Sequence, residues 1–168
     1  MLETKRLQIR PLSLEELKRH IESPICFAQE LGFRPSSSLI DKETQEAILN
    51  DLLPKLNDPT KDPLFYTMWI LVEKSKKAII GGICFHGEPD ESGEVEIGYG
   101  TDEEYQNQGY MTETIAKFIG WTKNLIHVKV IKAETERMNY SSIRVLEKNG
   151  FQVFCENGDS VILKLGLD

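Results

Sequence analysis

Along the chain the spacing of apolar positions switches between periods of two and of three to four, and each switch marks an element. In "RLQIRP" Leu7 and Ile9 face one way and Gln8 and Arg10 the other, as in a half-buried strand, which Pro11 ends. Ser13, with Glu16 three residues on, reads as a capping box for a helix through about Ile21. The stretch "ESPICFAQELGFRPSSS" shows neither period and reads as irregular. From Asp41 to about Leu56 an apolar stripe of Ala47, Ile48, Leu49, Leu52 and Leu56 predicts a second helix, which Pro54 is expected to shorten.

Two β-rich runs follow, "LFYTMWILVE" and "KAIIGGICFHGE", joined at "KSKK" as a hairpin. After the turn "EPDESG", the run "EVEIGYG" alternates carboxylates with apolar residues, making three consecutive strands. Met111, Ile115, Phe118 and Ile119 then recur at helical spacing to about Asn124. "VKVIKAETE" is a strand, "NYSSIRVLEKNG" a helix begun by Asn139 and stopped by Gly150, and "FQVFCE" and "SVILKL" a hairpin through "NGD". The order β-α-α-β-β-β-α-β-α-β-β is that of an α/β (α+β) protein with a mixed sheet flanked by helices. It is not the regular alternation of a doubly wound nucleotide fold.

Composition narrows the function classes. The 168 residues, 40% hydrophobic, suit one compact domain spanning 1–168. A formal net charge of −7, from 27 acidic and 20 basic residues, argues against a nucleic-acid partner and would draw cationic substrates such as amines. Cys26, Cys84 and Cys155 are odd in number and form no Cys-x-x-Cys pair, so neither a disulfide framework nor a zinc site is expected. "MLETKRLQIRPL" has no apolar leader, and "AIIGGICF" is too short to span a bilayer, so the expectation is a cytoplasmic protein with no membrane partner. Monomer and homodimer both stay open.

Gly109 stands where a helix begins, and the free N–H groups of a first helical turn make a site for an anion such as phosphate. A plain N-terminal helix glycine is the alternative. The chain holds no G-x-x-x-x-G-K-[ST] and no G-x-G-x-x-G between strand and helix, which argues against ATP and NAD.

"QNQGYM", Gln106 to Met111, resembles the Q/R-x-x-G-x-G/A acetyl-CoA pyrophosphate loop of the GNAT N-acetyltransferase superfamily. "NYSSIRVLEKNGF" resembles that family's second signature, and "VEIGYG" precedes the loop where the family has its strand. "GYMTE" and "N-x-x-S-x-R-V-L-E-K-x-G-F" look most like the RimJ/RimL branch, whose better-known members acetylate the N-termini of ribosomal proteins. The resemblance implies a GNAT acyl-CoA N-acyltransferase fold and acetyl transfer from acetyl-CoA to a primary amine, without a metal. It implies cofactor contacts from Gln106, Asn107, Gln108, Gly109, Tyr110, Met111 and Thr112, and from the backbone of Ile97, Gly98 and Tyr99, exposed by a bulge at Gly98. Two departures stand out: Met111 occupies the last small position of the loop, narrowing the space beside the phosphates, and Leu146 stands where many members carry a tyrosine acid.

Acyl transfer to an amine needs a base, a group that polarises the thioester carbonyl, and an acid for the departing thiolate. Strand period puts Glu94 and Glu96 on one face, opposite Val95 and Ile97. That face is either merely solvated or carries the base, and the resemblance favours Glu96. Asn139 is a candidate for the pantetheine arm and Ser142 for the acid, set against ordinary helix-start roles. His20, His86 and His127 are scattered without the i, i+4 spacing of metal ligands, and read as ordinary surface or packing residues, with no metal expected. Trp69 and Trp121 read as core, and no nucleophile elbow supports a hydrolase. The acceptor is expected to be a protein N-terminus or a small amine such as a polyamine, with a non-catalytic acyl-CoA-binding module as the rival class.

Overall fold

The computed structural model describes residues 1–36 and 42–167. In chain order these form β1 (Leu2–Glu3), β2 (Leu7–Pro11), α1 (Leu14–Glu22), α2 (Pro24–Glu30), α3 (Lys42–Ala47), a π-helical turn (Ile48–Leu52) and α4 (Leu53–Leu56). Then come β3 (Met68–Glu73), β4 (Ala78–Phe85), β5 (Glu94–Thr101), α5 (Tyr110–Thr122), β6 (Val130–Glu136), α6 (Tyr140–Lys148), β7 (Gln152–Asn157) and β8 (Ser160–Gly166). The expected order is there, with additions.

Local chemistry accounts for the boundaries. The capping box at α1 closes in both directions: the Glu16 N–H donates to Ser13 Oγ (3.3 Å) and the Ser13 N–H to the Glu16 carboxylate (2.9 Å). The stretch expected to be irregular instead contains α2, which opens on Pro24 in its first turn and buries Phe27 and Ala28. Asp41 lies outside the described residues, but the helix beyond it continues past Pro54 to Leu56. Ahead of that proline the ladder widens, the Leu53 N–H donating to the Ile48 carbonyl, so Pro54 falls in a new first turn where its missing N–H costs little. Strand β3 begins at Met68, not Leu64, because the Asp62 carboxylate accepts from the Leu64 N–H and starts a 3-10 turn.

Among the described residues eight strands form one sheet, in the order β1-β2-β3-β4-β5-β6-β8-β7. Neighbours are antiparallel except β5 and β6, which run parallel. One face buries Leu7, Ile9, Trp69, Phe85, Val95, Ile97 and Leu163 against α5 and α6. There Trp69 packs on Phe118 and Trp121, with ring centroids 5.5 and 4.8 Å apart. On the other face Ile70, Val72 and Ile79 of β3 and β4 are covered by Leu17, Ile21, Phe27 and Ile48. Farther along that second face, β5, β6 and β8 carry the charged residues Glu94, Glu96, Lys132 and Lys164, paired with one another. The site takes shape around that uneven cover.

Candidate active site

Strands β5 and β6 pair only over Glu94–Glu96 with Val130–Lys132. Beyond that point they part, leaving a cleft of about 620 Å³ between Ile97–Thr101 on one side and Glu134 and Thr135 on the other. Its ends are the N-termini of α5 and α6. The backbone of Ile97, Gly98 and Tyr99 faces this gap because β6 has left it. The expected bulge at Gly98 is absent: Cys84 pairs with Gly98 and Ile83 with Tyr99 in unbroken register. Divergence of two parallel strands does what a bulge was expected to do.

At one end of the cleft Gly109 sits at φ +77, a left-handed conformation that glycine adopts without strain, and it caps α5 with no side-chain hydrogen bond. The N–H groups of Tyr110, Met111 and Thr112 therefore have no partner within the helix. Asn107 is also left-handed, at φ +57. The loop is braced from outside. Gln106 donates to the Thr101 carbonyl (3.0 Å) and Gln108 to the Glu104 carbonyl (2.8 Å), so both side chains shape the loop. Arg6 donates to the Gln108 carbonyl (2.9 Å) and to Glu113 (2.7 Å), and lies 4.2 Å from the centre of the Tyr110 ring. Nothing local in the sequence pointed to Arg6, which is about a hundred residues away along the chain. Met111 is buried in the core beside the loop and also lines the cleft.

At the other end Asn139 caps α6, its Oδ1 accepting from the Ser142 N–H (3.1 Å) and the Ser141 hydroxyl (2.8 Å). That leaves the amide Nδ2 donors for a ligand. Across the cleft the Ser142 hydroxyl lies 2.8 Å from the Tyr99 hydroxyl, joining α6 to β5. Burial pushes the Tyr99 phenol above its usual value, with the Ser142 hydrogen bond acting against it. The Tyr99 hydroxyl carries no signal in the sequence, since its contact depends on how α6 packs. Leu146 is fully buried core.

On the charged face Glu96 is held from two sides, by Lys132 Nζ at 2.6 Å and His86 Nδ1 at 3.1 Å. The His86 hydrogen bond, then Lys132, bring its carboxyl down to about 2 despite partial burial. His86 in turn is pushed up to about 10 by Cys84 and then by Glu96. Glu94 has its own partner, Lys164, at 2.5 Å. A side chain at Gly98 would meet His86 Nε2 at 2.4 Å, so the imidazole rests on the glycine backbone. The sequence singles out no carboxylate for His86; register across the β4–β5 hairpin sets Glu96, ten residues on, against it. Among the described residues no cluster of three or more His, Cys, Asp or Glu could hold a metal ion, and no helix is long and apolar enough to cross a membrane.

An uncapped helix start, a freed strand edge and a capped serine in one cleft suit a long anionic thioester. Sequence comparison agrees: the acetyltransferase (GNAT) domain family matches residues 6–152, and the chain belongs to it. It is an N-acetyltransferase, and enzymes of this family use acetyl-CoA. The chain is 33% identical over 153 residues to the uncharacterised N-acetyltransferase YjdG of Bacillus subtilis (strain 168), covering 90% of this chain and 89% of that one. It is 26% identical over 154 residues to the uncharacterised N-acetyltransferase p20 of Bacillus licheniformis, covering 90% and 82%. Its fold is similar to that of RimL, the ribosomal L7/L12 alpha-N-protein acetyltransferase, in complex with coenzyme A (TM-score 0.67, 16% identity, 97% of this chain and 95% of that one). It is equally similar to ribosomal-protein-S5-alanine acetyltransferase from Vibrio fischeri (TM-score 0.67, 18% identity, 99% and 96%).

Proposed function

We propose that this enzyme binds acetyl-CoA in the β5–β6 cleft and transfers its acetyl group by direct attack to an α-amine, with a protein or peptide N-terminus as the leading acceptor. The observation that carries the reading is the convergence, in one cleft, of the uncapped α5 N-terminus, the released backbone edge of Ile97–Tyr99, and the Tyr99–Ser142 pair. Backbone N–H groups of Tyr110, Met111 and Thr112 would hold the pyrophosphate, supported by the partial positive charge of a helix start. Asn139 Nδ2 and the β5 edge would hold the pantetheine arm. When bound, acetyl-CoA supplies the activated acetyl group.

Ser142 is the proposed acid for the departing sulfur, its hydroxyl proton replaced from Tyr99 through their hydrogen bond, and Tyr99 takes a proton back from solvent to close the cycle. Glu96 is the proposed base. Because His86 and Lys132 keep it ionised and weakly basic, it serves best as a sink, directly or through one water, for a proton the attacking amine has already made acidic. A weak base favours acceptors that are partly neutral beforehand. At about pH 7 roughly a tenth of α-amines are neutral, against roughly one in two thousand lysine side chains. That preference, with the RimL-like fold, supports a chain N-terminus over a polyamine.

Peptides with a free α-amine and a blocked lysine, the reverse pair, and a polyamine panel test this with acetyl-CoA and mass spectrometry. The free α-amine peptides should be acetylated at least about 10-fold faster, given the difference in neutral fraction. Faster turnover of polyamines would move the assignment to the small-amine class. Release of no acetylated amine from any of them would favour the acyl-CoA-binding module.

A further inference from the structure

Glu96 and Ser142 account for base and acid, and beside the backbone N–H groups of the β5 edge the reaction has use for one further role, a fixed positive donor facing the acetyl oxygen as negative charge builds on it. We infer that His86 fills it, as an imidazolium whose Nε2–H is presented over Gly98 at the point where β5 and β6 part. Four observations on this face agree. The ring is anchored at Nδ1, which donates to the Glu96 carboxylate at 3.1 Å. Glu96 is itself fixed by Lys132 at 2.6 Å, so the anchor is rigid. Nε2 lies where a Gly98 side chain would be, 2.4 Å from an ideal Cβ, so the absence of a side chain at position 98 admits the ring. The side chain is still 51% exposed, so an acceptor arriving over this face meets it.

The surrounding charges favour the protonated ring. His86 lies one residue past β4 and is acted on by Cys84 of β4 and then by Glu96 of β5; Lys132 of β6 pairs with Glu96, Lys164 of β8 with Glu94, and Lys61 with Glu88, two residues beyond His86. With Glu96 as counter-ion, a donor at this position is the form that geometry and charge both favour. The ring also keeps a bound amine from staying cationic, since a like charge nearby lowers an ammonium's pKa. The balance of the transfer is unchanged by His86. The amine nitrogen forms a bond to the acetyl carbon, the carbon–sulfur bond breaks with its pair on sulfur, the nitrogen gives up one proton and the sulfur gains one. His86 holds its Nε2 proton throughout and returns no net charge.

The inference rests on acetyl transfer in this cleft, and its test is run on whichever amine the wild-type enzyme acetylates, so failure of the α-amine reading is a separate result. In the free protein, nitrogen-15 NMR of the three histidines, with His86 assigned by its loss in His86→Gln, should show His86 protonated on both nitrogens at neutral pH. Glu96→Gln should lower its titration point. His86→Gln and His86→Ala, folded by circular dichroism, should each lose about 10²-fold to 10³-fold in kcat, the usual cost of removing one such donor, with unchanged acetyl-CoA affinity by calorimetry. Wild-type kcat should fall at high pH along the NMR titration. A neutral His86 imidazole at neutral pH, wild-type kcat in either variant, or a kcat that rises through that titration would overturn the assignment. A rise would make His86 a base instead.

Discussion

Ser142 illustrates how one residue can hold two jobs. Its backbone N–H caps α6 on Asn139 while its hydroxyl reaches Tyr99 across the cleft at 2.8 Å. Ser142→Ala should therefore lower kcat by about 10-fold to 100-fold, at or below the usual range for general acid catalysis, and leave acetyl-CoA affinity nearly unchanged. Tyr99→Phe, which removes only the partner hydroxyl, should give a smaller loss in the same direction. Wild-type kcat in both variants would return the pair to a packing role. For Glu96 the expected result is a loss of about 10²-fold in kcat/KM near neutral pH in Glu96→Gln. pH–rate profiles of that variant and the wild type that superimpose would remove Glu96 from the chemistry. Among these residues, Asn139 and Gly109 were legible in the sequence because caps and loop glycines act within a few positions of themselves. The Tyr99 hydroxyl, His86 and Arg6 were not, because each finds its partner through strand register or helix packing across the chain.

At the scale of elements, the β4–β5 hairpin and its parallel neighbour β6 turn sequence distance into contact. His86 and Glu96 face each other across the hairpin, and the Glu96–Lys132 register brings in β6. The energetic signature of that triad is a pH dependence of stability whose sign can be worked out. Glu96, lowered from an ordinary 4.5 to about 2, stabilises the fold above 4.5 and loses that contribution as pH falls toward about 2. His86, raised from 6.5 to about 10, stabilises below 6.5 and loses its contribution as pH rises toward about 10. The difference in Tm between wild type and His86→Ala should therefore be greatest between about 4.5 and 6.5 and shrink on either side. A difference that stays flat with pH would show that the pair is not ionised in the folded protein. Strand and helix periods made most elements readable. Helix α2 escaped because it buries only Phe27 and Ala28, too few positions to show a period, and the π turn escaped because it is the helix's accommodation of Pro54.

For the molecule as a whole, function follows from uneven cover of one sheet. Helices α5 and α6 bury one face, and the α1–α4 layer covers β3 and β4 on the other. The paired charges of β5, β6 and β8 lie on that second face, beside the point where β5 and β6 stop pairing, which is where the proposed acceptor would arrive. This whole-molecule arrangement was legible in the sequence as an order of elements and a pair of signatures. The parting itself was not, since it depends on where a parallel pair stops. The central claim is that the α5 N-terminus at this opening holds the anionic part of acetyl-CoA. Calorimetric titration of acetyl-CoA into wild type and Gly109→Glu tests it most directly, because the substitution puts a carboxylate on the loop that lines the proposed phosphate site, its Cβ 3.5 Å from Arg6 Nη2, and strains the left-handed backbone at φ +77. The expected result is saturable binding to wild type and an affinity at least about 100-fold weaker in a variant that circular dichroism shows to be folded, from lost helix-start hydrogen bonds and like-charge repulsion. Equal affinity in the two proteins would contradict the account.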